Sequence, residues 1–174
     1  GLVGIFHTND NMINNEQLFR SMCQVIKHEG WYKVNTFIDD FFYIARISLG
    51  VTNPEPQPIF NEDNSLCIFM EGEIYNYKQL KKELVLKGHK FRINNDPEFI
   101  LHLFEEYGKD FSKKLMSLNG NFLFVIYDIK HSEFIVCNDR YGFIPLYWCN
   151  RGNYLLFSSE IKAILQDKKL ARSI

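Results

Sequence analysis

Residues 69–77, FMEGEIYNY, set a glycine between two glutamates, with an apolar run ahead of them and a helix-forming run behind. Upstream the run reads LCIFMEGEI, a strand that reaches Glu71 and Gly72. Downstream, Asn76 is placed to cap a helix with Gln79 as capping-box partner, Leu80 and Leu84 on one face and Gly88 at its end. Backbone beside a glycine can approach a ligand closely. Glu71 and Glu73 are therefore candidates for acid–base work or for holding a cation, with simple solvation as the alternative.

The flanking segments read as strands and helices in blocks. LVGIF at residues 2–6 is a buried strand, and an apolar strand that early predicts an end tied into the fold. Leu18, Met22, Val25 and Ile26 repeat at helical spacing, with Asn14 or Asn15 as cap and Gly30 as stop. FFYIARISLGV is a strand carrying Arg46, and NPEPQPIFNEDNS is a loop. Asp96 stands at a cap position before Pro97, and Ile100, Leu101 and Phe104 form the apolar face of a helix closed by Gly108. NGNFLFVIYD, EFIVCND, PLYWCN and NYLLFSS read as four short strands, expected to form an antiparallel meander. SSEIKAILQD follows as a short helix capped by Ser158 or Ser159. Strands clustered at both ends, with helices between and after, predict an α+β fold with antiparallel sheet.

Composition narrows the function classes. The chain has 174 residues, one domain on its size, with 46% hydrophobic and 24% charged residues, as in a soluble globular domain. Twenty basic against 21 acidic residues leave a net charge of −1, no basis for nucleic-acid or anionic-membrane binding. The pairs Lys81-Lys82, Lys113-Lys114 and Lys168-Lys169 read as solvated helix faces. Cys23, Cys67, Cys137 and Cys149 form no C-x-x-C motif, and Cys67 and Cys137 lie in strand-like runs. A reducing, cytoplasmic setting without a membrane span or a metal site is expected.

Several stretches together resemble the class II glutamine amidotransferase domain that begins the asparagine synthetases, an N-terminal-nucleophile hydrolase fold. GLVGIF is similar to that family's first strand, ARISLGV to its R-L-S-I strand, and EGEIYNYKQLKKEL to its N-G-E-I-Y-N segment. NNDPEFILHLFEEYG resembles its S-D-x-E helix start. LNGNFLFVIYD, NDRYGFIPLYW and LLFSSEIKAIL resemble its C-terminal run. The matches keep the family's order and cover nearly all of residues 1–174. The resemblance implies a four-layer αββα sandwich of two antiparallel sheets between helices.

In that family an N-terminal cysteine attacks the side-chain amide of glutamine, with its own amine as base. Ammonia leaves, and a thioester is hydrolysed past an oxyanion held by a side-chain amide and a backbone N–H. The resemblance assigns Arg46 to the glutamine α-carboxylate, a bidentate task that suits guanidinium. It assigns the Gly72 N–H to the oxyanion, and Glu73 and Asp96 to the α-amino group; Asp96 serves equally as a helix cap. Asp139, Arg140, Gly142, Pro145 and Tyr147 match a structural motif in which Asp139 and Arg140 could pair, and Glu160 and Lys162 read as scaffold.

Two departures stand out. The family's cysteine would stand immediately before Gly1, which has no side chain to replace it, and none of the four cysteines aligns there. The oxyanion asparagine is replaced by Glu71, which offers no N–H when ionised. The expectation is a domain whose glutaminase chemistry is lost or impaired. The alternatives are an active glutaminase whose cysteine precedes Gly1, and a non-catalytic amino-acid-binding or scaffold domain of an amide- or lactam-forming synthetase. The chain is expected to be the N-terminal part of a longer protein. Its partners would be L-glutamine or another amino acid, and a C-terminal synthetase domain or partner chain that uses ATP and Mg²⁺. No cofactor is expected in this domain itself.

Overall fold

A computed structural model describes residues 1–8 and 15–170. The elements are β1 (Leu2–His7), α1 (Glu16–Ile26), β2 (Lys33–Ile38), β3 (Phe42–Ser48), β4 (Ile59–Phe60), β5 (Leu66–Ile74), α2 (Tyr77–Leu86), α3 (Asp96–Tyr107), α4 (Phe111–Leu115), β6 (Gly120–Asp128), β7 (Glu133–Asn138), β8 (Tyr147–Asn150), β9 (Tyr154–Ser158) and α5 (Ile161–Ile164). They form two compact units, residues 1–50 with 145–174, and residues 51–144. Each holds one antiparallel sheet and its own helices, in agreement with the expected α+β class.

The first unit's sheet runs β2-β3-β1-β9-β8, so β1 is bonded along both edges. Alternation puts Val3 and Ile5 of β1, and Tyr43, Ala45 and Ile47 of β3, in one cluster with Phe19, Met22 and Ile26 of α1 and Ala163 and Ile164 of α5. The opposite face of β3, carrying Phe42, Ile44, Arg46 and Ser48, is buried as well. The second unit's sheet runs β4-β5-β6-β7. Ile68, Met70 and Ile74 of β5 and Phe122, Phe124 and Ile126 of β6 pack with Leu84 of α2 and Phe99, Ile100 and Leu103 of α3.

Some local expectations are corrected. The four C-terminal strands are not one meander: β6–β7 and β8–β9 are separate hairpins in different sheets. β9 takes its other edge from β1 and β6 takes its other edge from β5, pairings remote in sequence. Edge strand β2, absent from the sequence-based expectations, is largely exposed and registered only by β3. Asn76 sits at the start of α2, but its side chain accepts from Asn119 N–H (2.9 Å) and donates to the Ser117 carbonyl (2.9 Å) instead of capping. Helix α1 ends at Ile26, four residues before Gly30. Ser158 accepts from Glu160 N–H just ahead of α5, whose cap position is Glu160 itself. Of the two cap candidates for α1, Asn14 lies outside the described residues, and Asn15 holds the position without a side-chain cap bond.

The cap of α3 is Asn95, not Asp96. Asn95 is extended (φ −121°, ψ 176°), and its Oδ1 accepts from Glu98 N–H at 3.1 Å. Glu98 does not close a capping box on Asn95 but reaches further back: its buried carboxylate accepts the N–H groups of Arg92, Ile93 (2.9 Å) and Asn94. Glu98→Ala should strip three donors of their acceptor and cost about 2–3 kcal/mol in a urea melt, with Glu98→Gln losing less. A change within about 0.5 kcal/mol would show that Glu98 does not hold the 92–94 turn.

Candidate functional site

In the second unit β5 ends on Glu71-Gly72-Glu73-Ile74, and the chain turns there into α2. Gly72 has φ +94°, a conformation that L side chains avoid. A Cβ there would lie 2.0 Å from the Asn121 carbonyl oxygen of the paired strand β6. The glycine predicted to approach a ligand is thus also demanded by the sheet. Glu71 is half-buried and opposite Leu123, and Glu73 is exposed and opposite Asn121.

Asp96 joins this strand end from α3. Its Oδ2 accepts the Ile74 N–H at 3.2 Å and the Asn53 side-chain amide at 3.3 Å. Asn53 Oδ1 accepts the Asp96 N–H at 3.2 Å, and Asn53 Nδ2 donates to the Gly72 carbonyl at 2.9 Å. One asparagine thus ties Gly72 to Asp96. The sequence marked this residue only as part of a Pro/Asn-rich loop; its left-handed backbone (φ +44°) is one that asparagine tolerates better than most side chains. With Asn95 as cap, the Asp96 carboxylate is released from that duty.

Asp96 is 4% exposed, and its Oδ1 has no hydrogen-bond partner among the described residues. Burial, first of all, pushes its carboxyl above the usual aspartate value. The Ile74 N–H and the Asn53 amide oppose that rise, and the charges of Glu73 and Glu55 add to it. A cavity of about 320 Å³ opens here, lined among others by Asn53, Glu55, Glu73, Tyr77, Asn94 and Asp96. Three carboxylates, Glu55, Glu73 and Asp96, line this one cavity, and one of them is buried with an unused oxygen.

Of the residues singled out in the sequence, the second unit therefore brings together Gly72, Glu73 and Asp96, with Glu71 next to them. Arg46 belongs to the first unit. It is 2% exposed within β3, opposite Leu2 and Asn35, so it is not a surface ion-pair arginine. A guanidinium that deep must be matched by acceptors to be tolerated. Asp139 and Arg140 do not pair. Asp139 Oδ1 instead accepts from Tyr141 N–H (3.0 Å) and Phe143 N–H (3.3 Å), shaping the turn at Gly142 (φ +64°), while Arg140 donates to the Met116 carbonyl. Glu160 and Lys162 form a surface cluster with His28.

All four cysteines are free. Burial pushes the Cys23 thiol up to about 12 and the Cys137 thiol up to about 11, so neither is a ready nucleophile at neutral pH. No helix among the described residues is long and apolar enough to cross a membrane.

The profile of the glutamine amidotransferase domain matches residues 1–174. The chain belongs to that family. The amidotransferase domain is 35% identical over 173 residues to asparagine synthetase [glutamine-hydrolyzing] 2 of Oryza sativa subsp. japonica, covering 96% of this chain and 28% of the relative. It is 33% identical over 172 residues to a probable asparagine synthetase [glutamine-hydrolyzing] of Dictyostelium discoideum, covering 96% and 30%. The chain thus spans less than a third of the length of these curated relatives. A solved structure of glutamine phosphoribosylpyrophosphate amidotransferase from B. subtilis, complexed with ADP and GMP, superposes with a TM-score of 0.71. It covers 94% of this chain and 42% of that one at 21% identity, a likeness of fold alone.

Proposed function

We propose that this amidotransferase domain keeps an amino-acid pocket and is impaired in glutamine hydrolysis. The observation that carries the impairment is Glu71. It is the half-buried residue directly before the positive-φ Gly72, where the family pattern has an amide donor. An ionised carboxylate accepts only, and beside a developing oxyanion it repels. The Gly72 N–H would then be the one donor left of the two. The test is glutamate release from glutamine by the full-length protein with its native N-terminus. Turnover is expected at least ~100-fold below that of an active relative. Turnover within about tenfold would overturn the proposal.

Asp96 favours retained binding. Its unused Oδ1, with Glu73 and Glu55 nearby, suits the α-ammonium of glutamine or another amino acid. Asp96→Asn keeps an oxygen for the Ile74 N–H and removes the charge. Calorimetry should show glutamine affinity reduced by at least ~30-fold. The pH dependence has a definite sign. Asp96 is raised above its ordinary value in the free protein, and a bound ammonium favours its ionised form. Binding should therefore strengthen as pH rises from the ordinary carboxylate range through that raised value, and then level off. An Asp96→Asn variant that binds as tightly as the wild type at every pH would remove the ammonium site.

In the full-length protein this domain would serve a C-terminal synthetase part, in a reducing cytoplasmic setting, that uses ATP and Mg²⁺ to activate a carboxylate for amide formation. With glutaminase chemistry impaired, the attacking amine would come from a source other than glutamine, and this domain would act there as an amino-acid-binding scaffold.

A further inference from the structure

A second cluster of polar side chains lies in the same unit and has no part in the reading above. His89 follows Gly88 in the link between α2 and α3, and its backbone N–H is fixed to the Leu84 carbonyl at 3.0 Å. His102 and Glu105 lie three residues apart on α3, one above the other on the same helix face. His89 Nδ1 is 3.2 Å from His102 Nδ1, and His102 Nδ1 is 3.1 Å from Glu105 Oε2. One ligand atom from each of His89, His102 and Glu105 lies within 4.8 Å of the other two.

Proton bookkeeping shows what this arrangement lacks. His89 Nε2 is 3.1 Å from Glu106 Oε2. That carboxylate can only accept, so Nε2 carries the hydrogen and a neutral His89 presents a lone pair at Nδ1. His102 Nδ1 has at most one hydrogen, yet it faces two acceptors, the His89 lone pair and the Glu105 carboxylate. With His89 neutral, His89 Nδ1, His102 Nδ1 and Glu105 Oε2 have at most one proton to share among them. A cation at their centre would satisfy all three.

We propose that His89 Nδ1, His102 Nδ1 and Glu105 Oε2 bind a divalent transition-metal ion of the zinc type. Two imidazoles and one carboxylate form a borderline donor set that suits zinc and its neighbours and disfavours Mg²⁺ or Ca²⁺. Separations of 3.1 and 3.2 Å match the ligand-to-ligand edge of a tetrahedron with bonds of about 2.0 Å. The supporting contacts are also in place. Glu106 holds the His89 ring by Nε2, and Asn61 Nδ2 donates to Glu105 Oε1 at 3.0 Å, leaving Oε2 to the metal. His89 and Glu105 line a surface cleft that Glu62, Lys87 and Lys90 also border, through which an ion could enter. On binding, the Nδ1 proton of His102 leaves to solvent and the metal takes its place. The ion would staple His89, in the link that leads to Asn95 and Asp96, to the body of α3.

The experiment is a titration of the full-length protein with ZnCl₂ by calorimetry, repeated with Co²⁺ and read by visible absorption. The wild type should bind one zinc equivalent more than His89→Ala, with a zinc-dependent rise in Tm and the intense visible band of four-coordinate Co²⁺. His89→Ala and Glu105→Gln should weaken that equivalent by ~100-fold and Glu106→Gln by ~10-fold, with His131→Ala unchanged. If His89→Ala does not fold, Glu105→Gln carries the comparison. Equal zinc stoichiometry and affinity in the wild type and the ligand variant would overturn the proposal, as would a cobalt spectrum no stronger than that of the hydrated ion.

Discussion

Gly72→Ala is expected to lower stability by about 4 kcal/mol. Two costs add. Forcing a side chain into positive φ costs roughly 1–2 kcal/mol. Driving a Cβ into packed structure costs roughly 1–3 kcal/mol more. The obstacle is the Asn121 carbonyl oxygen, 2.0 Å away, which cannot rotate aside as a side chain would. Asn121 is opposite Glu73 in a ladder that pairs β5 and β6 from Leu66–Asp128 to Ile74–Gly120. Relief therefore requires the strands to part at the end that carries Glu71 and Glu73. A thermal melt should show Tm lower by roughly 8–16 °C. A shift under about 2 °C would mean that the backbone at Gly72 relaxes freely. By contrast, Gly88, with φ +101°, has open space at its Cβ position, so alanine there meets only the backbone cost.

The second large effect concerns turnover. In the full-length protein carrying a cysteine immediately before Gly1, Glu71→Asn should raise glutamate release by ~100-fold or more. The reason is differential: an amide N–H at this position strengthens only as charge develops on the substrate oxygen. The gain should therefore appear in kcat, with KM little changed. Glu71→Gln should gain less, because its amide stands one methylene further out than that of asparagine. Equal kcat in Glu71→Asn and the parent would show that residue 71 does not face the reacting carbonyl. A fall in KM at constant kcat would make it a substrate-binding position instead.

The outline of the fold was legible wherever a segment carries its own signal. LVGIF, LCIFMEGEI and NGNFLFVIYD are apolar enough to announce central strands, and the Leu and Phe spacing of α2 and α3 announces helices. Pairing was less legible. Nothing local in PLYWCN or NYLLFSS says that β9 will run beside β1, more than 140 residues earlier, while β7 stays with β6. Turn chemistry was half legible. NNDPE offers two adjacent cap residues, and the choice of Asn95 over Asp96 depends on the Ile74 N–H and the Asn53 amide waiting for the Asp96 carboxylate. The spacing Asn95-x-x-Glu98 could have marked Asn95 as the cap, but not the reach of Glu98 back to residues 92–94. The site beside Gly72 was readable as residue types, but Asn53 was not, because its importance is a matter of three hydrogen bonds, one across 19 residues and two across 43.

By itself the sequence determined the family, the central strands and the long helices, and the chemical departure at Glu71, because these reside in residue identity and local periodicity. Only the tertiary structure decided that Gly72 is compulsory, that Asp96 is free of capping and holds an unused buried oxygen, and that His89, His102 and Glu105 converge. Burial and hydrogen-bond competition between segments remote in sequence set those features, and no window of residues contains both partners.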